Sequence, residues 1–122
     1  MTPPADLVRL RHMLDHAVEA VEMARERSRQ DLDTDRQLNL SLVRLLEIIG
    51  EAARRVSEAT QQQCPGIPWP EVVGLRNRLI HGYDSVDFDI LWNILTDDLP
   101  PLIAALRAFL APLSDLPPEG TT

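Results

Sequence analysis

Apolar residues recur at intervals of three and four along most of the chain, and no turn-bounded stretch alternates them one by one. That period lays side chains along one stripe of an α-helix, whereas a half-buried strand needs a period of two. The chain is therefore expected to be all-α, a four- to five-helix up-and-down bundle. Leu7, Leu10, Leu14, Ala17, Val21 and Ala24 mark a first helix over residues 6–29, with Asp6 as its N-cap. Leu38, Leu42, Leu45, Leu46, Ile49, Ala53 and Val56 mark a second over 36–61. Gly50 lies inside it and costs about 1 kcal/mol relative to Ala, so a close helix–helix approach is expected there. A Pro-rich loop from Cys64 to Pro70 leads to a third helix over 72–81, ending at Gly82. A short fourth helix follows the turn Asp84-Ser-Val-Asp and carries Phe88, Leu91, Trp92 and Leu95. A fifth, over 100–113, is expected to be capped by Asp97 and Asp98. Residues 1–113 form one domain in this reading, and 114–122 a disordered polar tail.

The chain has 122 residues, 44% of them hydrophobic and 25% charged, which excludes general disorder. No apolar run approaches the roughly 20 residues of a membrane span, the N-terminus has no signal-like pattern, and Cys64 stands alone. A cytoplasmic location is expected. All twelve cationic residues are Arg. Eleven of them face twelve acids up to Tyr83, whereas Arg107 alone faces seven acids beyond it, giving a net charge of −7. Such a charge argues against broad non-specific nucleic-acid binding but is compatible with a small Arg-lined site. Arg44, Arg54 and Arg55 suit either such a site or ordinary solvated helix positions. The acidic last third suits a basic partner surface.

The third helix holds the anomaly. At about 100° per residue, a continuous helix over 72–81 puts Arg76 inside the apolar arc of Val72, Leu75, Leu79 and Ile80. An unpaired charge is costly there. Asn77 and His81, four apart, flank the same edge, and Tyr83 follows just past the helix end. One reading is structural: Arg76 paired with Glu51 or Glu47, an ordinary capping His and a half-buried Tyr. The other is a phosphate site. Arg binds phosphate bidentately, His transfers protons near neutral pH, and together they can support RNA cleavage by the neighbouring 2′-hydroxyl without a metal.

Arg76-Asn-Arg-Leu-Ile-His81-Gly-Tyr83 resembles the Arg-x4-His-x-Tyr motif of the HEPN superfamily of small helical proteins. More narrowly the chain is similar to the HepT (DUF86) branch, the toxin half of HepT–MNT toxin–antitoxin pairs. Glu47-Ile-Ile-Gly-Glu51-Ala-Ala, Pro68-Trp69, Leu91-Trp92 and Asp98-Leu-Pro carry the resemblance over residues 38–102. It implies a homodimeric, metal-independent endoribonuclease that cleaves RNA, tRNA among the candidates, and leaves 2′,3′-cyclic phosphate ends. By the same resemblance Arg76 and His81 are catalytic, and Asn77 and Tyr83 contact phosphate or RNA. Tyr83 is also the position to which an MNT-type nucleotidyltransferase antitoxin adds AMP. Glu51 is expected to support Arg76 across the helix pair. No cofactor and no metal site are expected: His12 and His16 lack a third ligand, and Gly50 and Gly66 fit no phosphate loop. The alternative function is a non-catalytic helical module that binds a nucleotidyltransferase partner or a nucleotide.

Overall fold

The two longest apolar stripes of the chain, on α1 (Pro4–Ala24) and α3 (Arg36–Arg55), are buried against each other. The computed structural model describes residues 1–114. Leu10, Met13, Ala17 and Ala20 of α1 meet Leu42, Leu46, Ile49 and Ala53 of α3, all with no exposed surface. Each large side chain so buried contributes about 1.5–3 kcal/mol. The stripe on α1 is rotated from the expected one: Leu7, Leu14 and Val21 lie at its half-buried margin, and Met13 and Ala20 replace them at the centre. The two helices run antiparallel, because Arg9 near the start of α1 donates to the Arg55 carbonyl at the end of α3 at 2.9 Å.

The helix expected over 36–61 is two helices. Asp6 is not the cap of α1, whose N-cap position is Pro3. Its buried carboxylate instead accepts the Ser57 backbone N–H at 3.1 Å, the Ser57 hydroxyl at 2.5 Å and the Thr60 hydroxyl at 2.6 Å. Those bonds draw Ser57 out of the helical path, and Val56 adopts an extended conformation. Ser57 then caps α4 (Glu58–Gln63). The α1–α3 connection holds one further turn, α2 (Asp31–Thr34), anchored by fully buried Leu32. Asp35 caps α3 by accepting the Leu38 N–H at 3.0 Å.

After Cys64, α5 (Trp69–Val73) rests on α3 where the sequence leads one to expect a close approach. A Cβ added to Gly50 would stand 3.2 Å from the Val72 carbonyl oxygen. Then follow α6 (Leu75–Leu79) and a two-residue antiparallel ribbon, β1 (Ile80–His81) with β2 (Ser85–Val86). The ribbon is a departure from the expectation of no strand.

The last two expected helices form one path. α7 (Phe88–Asn93) passes through a π-helical turn (Ile94–Asp98) into α8 (Leu99–Ser114), which packs on α1. Asp97 and Asp98 therefore cap nothing. Pro100 and Pro101 bring no N–H, so the Thr96 carbonyl has neither an α-type nor a π-type helical donor. The path widens instead, with the Leu99 N–H reaching back five residues to Ile94. The helix extends to Ser114, and the expected disordered tail lies, from residue 115 on, outside the described residues. No helix among the described residues is long and apolar enough to cross a membrane.

Candidate functional site

Trp69 anchors the segment that carries the motif. Its ring is buried, and its indole N–H lies 3.1 Å from both the Gln61 and Cys64 carbonyls. The chain then bends at Gly74, whose N–H closes on the Pro70 carbonyl at 3.0 Å. Leu75 and Leu79 of α6 turn into the core, and Arg76 and Asn77 turn to solvent.

Arg76 is thus not in an apolar arc. The expected arc joined Val72 to Leu79 and Ile80 across one helix, but those residues belong to three elements, α5, α6 and β1, separated at Gly74 and by the extended backbone of Ile80. The Arg76 side chain is 64% exposed, and its Nε lies 3.1 Å from Glu47. Glu51 does not reach it. Its carboxylate is taken by Arg54 at 2.7 Å and Arg55 at 3.0 Å, which hold it below the usual carboxylate range. Arg78, on the other side of α6, pairs with Asp98 at 3.0 Å.

His81 is not on the helix with Asn77. At Ile80 the backbone becomes extended, and β1 pairs with β2 in the register Ile80↔Val86 and His81↔Ser85. Gly82, at φ 78°, turns the ribbon in the left-handed region that glycine adopts without strain. It is the glycine of a hairpin loop and not of a helix C-terminus. The His81 ring, 61% exposed, stands with Nε2 4.0 Å from an Asp87 oxygen. Asp87 also caps α7 by accepting the Ile90 N–H at 3.0 Å. Tyr83 is fully exposed at the loop tip and not half-buried.

The four motif side chains are all exposed, Arg76 and Asn77 on α6 and His81 and Tyr83 on the hairpin that follows it. Among the described residues no hydrogen bond or ion pair joins them to one another. Asp87 is the neighbour that the sequence reading missed, because only the hairpin brings position 87 back beside position 81. A groove of about 410 Å³ between α5–α6 and the π turn is lined by Val72, Leu75, Arg78, Asp98 and Leu102 and by none of the four. His16 Nδ1 lies 2.7 Å from the His12 carbonyl on α1. No three His, Cys, Asp or Glu side chains converge as a metal-holding group among the described residues.

Chemically, the surface offers a guanidinium, an amide, an imidazole beside a carboxylate, and a phenol. All are open to a large ligand. An all-α bundle presenting this set is of the HEPN-like class. The family model for ribonuclease HepT-like proteins matches residues 13–109, and the chain belongs to that family. A Methanocaldococcus jannaschii protein provisionally named an RNase is 34% identical over 90 residues, covering 74% of this chain and 83% of that protein. A Thermococcus cleftensis protein named as a probable ribonuclease HepT is 36% identical over 93 residues, covering 73% of this chain and 84% of its own. A Caldanaerobacter subterraneus subsp. tengcongensis protein, also provisionally named an RNase, is 32% identical over 101 residues and covers 83% and 90% respectively. No solved structure matches the chain significantly.

Proposed function

We propose that this chain is an endoribonuclease toxin that cleaves RNA without a metal ion, at a cleft made by two copies of the chain. The observation that carries the reading is that Arg76, Asn77, His81 and Tyr83 are all exposed in a ribonuclease HepT-like chain. Side chains kept for core packing would be buried, whereas groups that must reach a phosphodiester are open.

In the proposed reaction the ribose 2′-oxygen attacks the adjacent phosphorus, giving its proton to His81 Nε2. The P–O2′ bond forms as the P–O5′ bond breaks, leaving a 2′,3′-cyclic phosphate. The departing 5′-oxygen needs a proton, and the partner subunit's His81 supplies it. One imidazole would otherwise serve as base and acid at once, and two-fold pairing divides those roles. Arg76 faces the charge that builds on the phosphoryl oxygens, and Asn77 orients the phosphate. Glu47 holds the Arg76 guanidinium at 3.1 Å, and Asp87 stands beside the His81 ring at 4.0 Å. Glu51 acts one step further out, by holding Arg54 and Arg55.

Tyr83 at the hairpin tip is the proposed site of silencing. Its hydroxyl is free for transfer of AMP from a nucleotidyltransferase antitoxin, and the bulky anion would then stand in the cleft. Analysis of the product ends tests the chemistry. Cleavage of a total tRNA pool in EDTA is expected to leave 2′,3′-cyclic phosphate and 5′-hydroxyl ends. Products with 5′-phosphate and 3′-hydroxyl ends would overturn the proposed route, because water would then be the nucleophile.

A further inference from the structure

A chain with net charge −7 needs some particular place to carry a polyanion. α1 and α3 enclose an open groove of about 390 Å³, to which α1 contributes Val8, Arg9 and His12, and α3 contributes Arg44, Glu51 and Arg55. On α3 these positions are spaced seven and four apart, so they project within a sector of about 40°. Arg54 adjoins them through its own contact with Glu51. Arg54 and Arg55 share Glu51, and Arg9 stands 3.8 Å from the Asp6 carboxylate.

These cations are not all occupied. Arg44 is exposed and has no ion-pair or hydrogen-bond partner among the described residues. Arg9 gives one N–H to the Arg55 carbonyl, stands 3.8 Å from Asp6, and has further N–H groups, since a guanidinium has five. Glu51 is already held by two of the arginines, which leaves little free negative charge in the groove. The groove also leads to the motif. Glu47, one turn before Glu51 on α3, is the partner of Arg76.

We infer that this groove carries the RNA backbone away from the scissile phosphate, with Arg44 and Arg55 on successive phosphates. The inference rests on the ribonuclease reading above. Val8 in this groove and Leu40 in the adjoining hollow, which Arg44 also lines, are exposed, which makes a contact between copies the competing use of this face. The charges oppose that use. A two-fold contact centred there would set guanidiniums against guanidiniums, with Glu51 already engaged.

The test is fluorescence anisotropy with a 5′-fluorescein-labelled RNA that the wild type cleaves, measured in the His81→Ala background over a series of KCl concentrations. Light scattering accompanies it to give the mass in solution. Arg44→Gln is expected to weaken binding about fivefold and to lower the salt slope by about 0.7, the value of one phosphate contact on a single strand. Glu51→Gln, which frees two guanidiniums, is expected to tighten binding and steepen the slope. Arg107→Gln on α8 is expected to change neither. If Arg44→Gln binds like its His81→Ala parent with an unchanged salt slope while the wild type remains active, the groove is overturned and the ribonuclease reading stands. If RNA binding and assembly are lost together, the face is an interface between copies and the inference is overturned. A wild type that cleaves no RNA overturns both.

Discussion

Asp6 accepts three hydrogen bonds from residues more than fifty positions away, and its buried carboxylate joins the start of α1 to the start of α4. Burial pushes its carboxyl up, but the Ser57 and Thr60 hydroxyls, the Ser57 N–H and the nearby Arg9 together hold it below the ordinary value of 3.8. A carboxyl that binds its proton less tightly when folded stabilises fully above its unfolded value and loses that contribution as pH falls below it. Asp6→Ala is expected to cost about 2 kcal/mol at neutral pH, since two hydroxyls and an N–H lose their acceptor. In urea titrations the difference from wild type should shrink progressively once the pH drops under 3.8. The Asp87 carboxylate serves His81 and the cap of α7 at once. Asn caps a helix about as well as Asp, so Asp87→Asn should leave thermal stability unchanged while lowering RNA cleavage about threefold to tenfold. Equal loss of stability and activity would show that Asp87 acts through the fold alone. At this scale the motif residues were legible because Arg, Asn, His and Tyr stood in a recognisable order. Their contacts were not: nothing in the chain distinguishes Glu47 from Glu51 as the partner of Arg76, since both lie on α3 and differ by one turn.

Helix identity followed from periodicity, and helix ends did not. The stripe of α3 and the close approach at Gly50 could be read directly, because a buried face and a missing Cβ are local properties. The break at Val56–Ser57 depends on Asp6, which the chain brings there only after α1 and α3 have paired. The hairpin was hidden for a different reason. Ile80 and Val86 are β-branched and suit extended backbone, but two-residue strands are too short to alternate visibly, and a preceding helical period swept His81 into a helix it never enters. That error displaced Asp87 from view. Gly82 holds the element in shape. Gly82→Ala forces a Cβ into the left-handed region and should cost about 1 kcal/mol. The cost should fall on the hairpin and not on the bundle. Hydrogen exchange at the Asp87 amide, which donates to the Leu79 carbonyl at 2.9 Å, is expected to quicken while core amides in α3 keep their protection. Uniform loss of protection would mean that the hairpin unfolds only with the whole chain.

The whole molecule divides its work between a buried frame and an open face. α1, α3 and the α7–α8 path make most of the core, Trp69, Val72, Leu75 and Leu79 of α5 and α6 pack into it, and the four motif side chains are exposed outside it. Composition predicted the frame well. It said little about the face, because a net charge of −7 conceals a local excess of arginine between α1 and α3. Nor does a chain reveal from its own residues how two copies would meet. The most direct test is cleavage of total RNA in EDTA by wild type, Arg76→Ala and His81→Ala, with intact mass first showing that Tyr83 carries no adduct. The account predicts cleavage by the wild type and a loss of about a hundredfold or more in each variant, with all three folded alike. Undiminished cleavage in both variants, or none by the unmodified wild type, would contradict it.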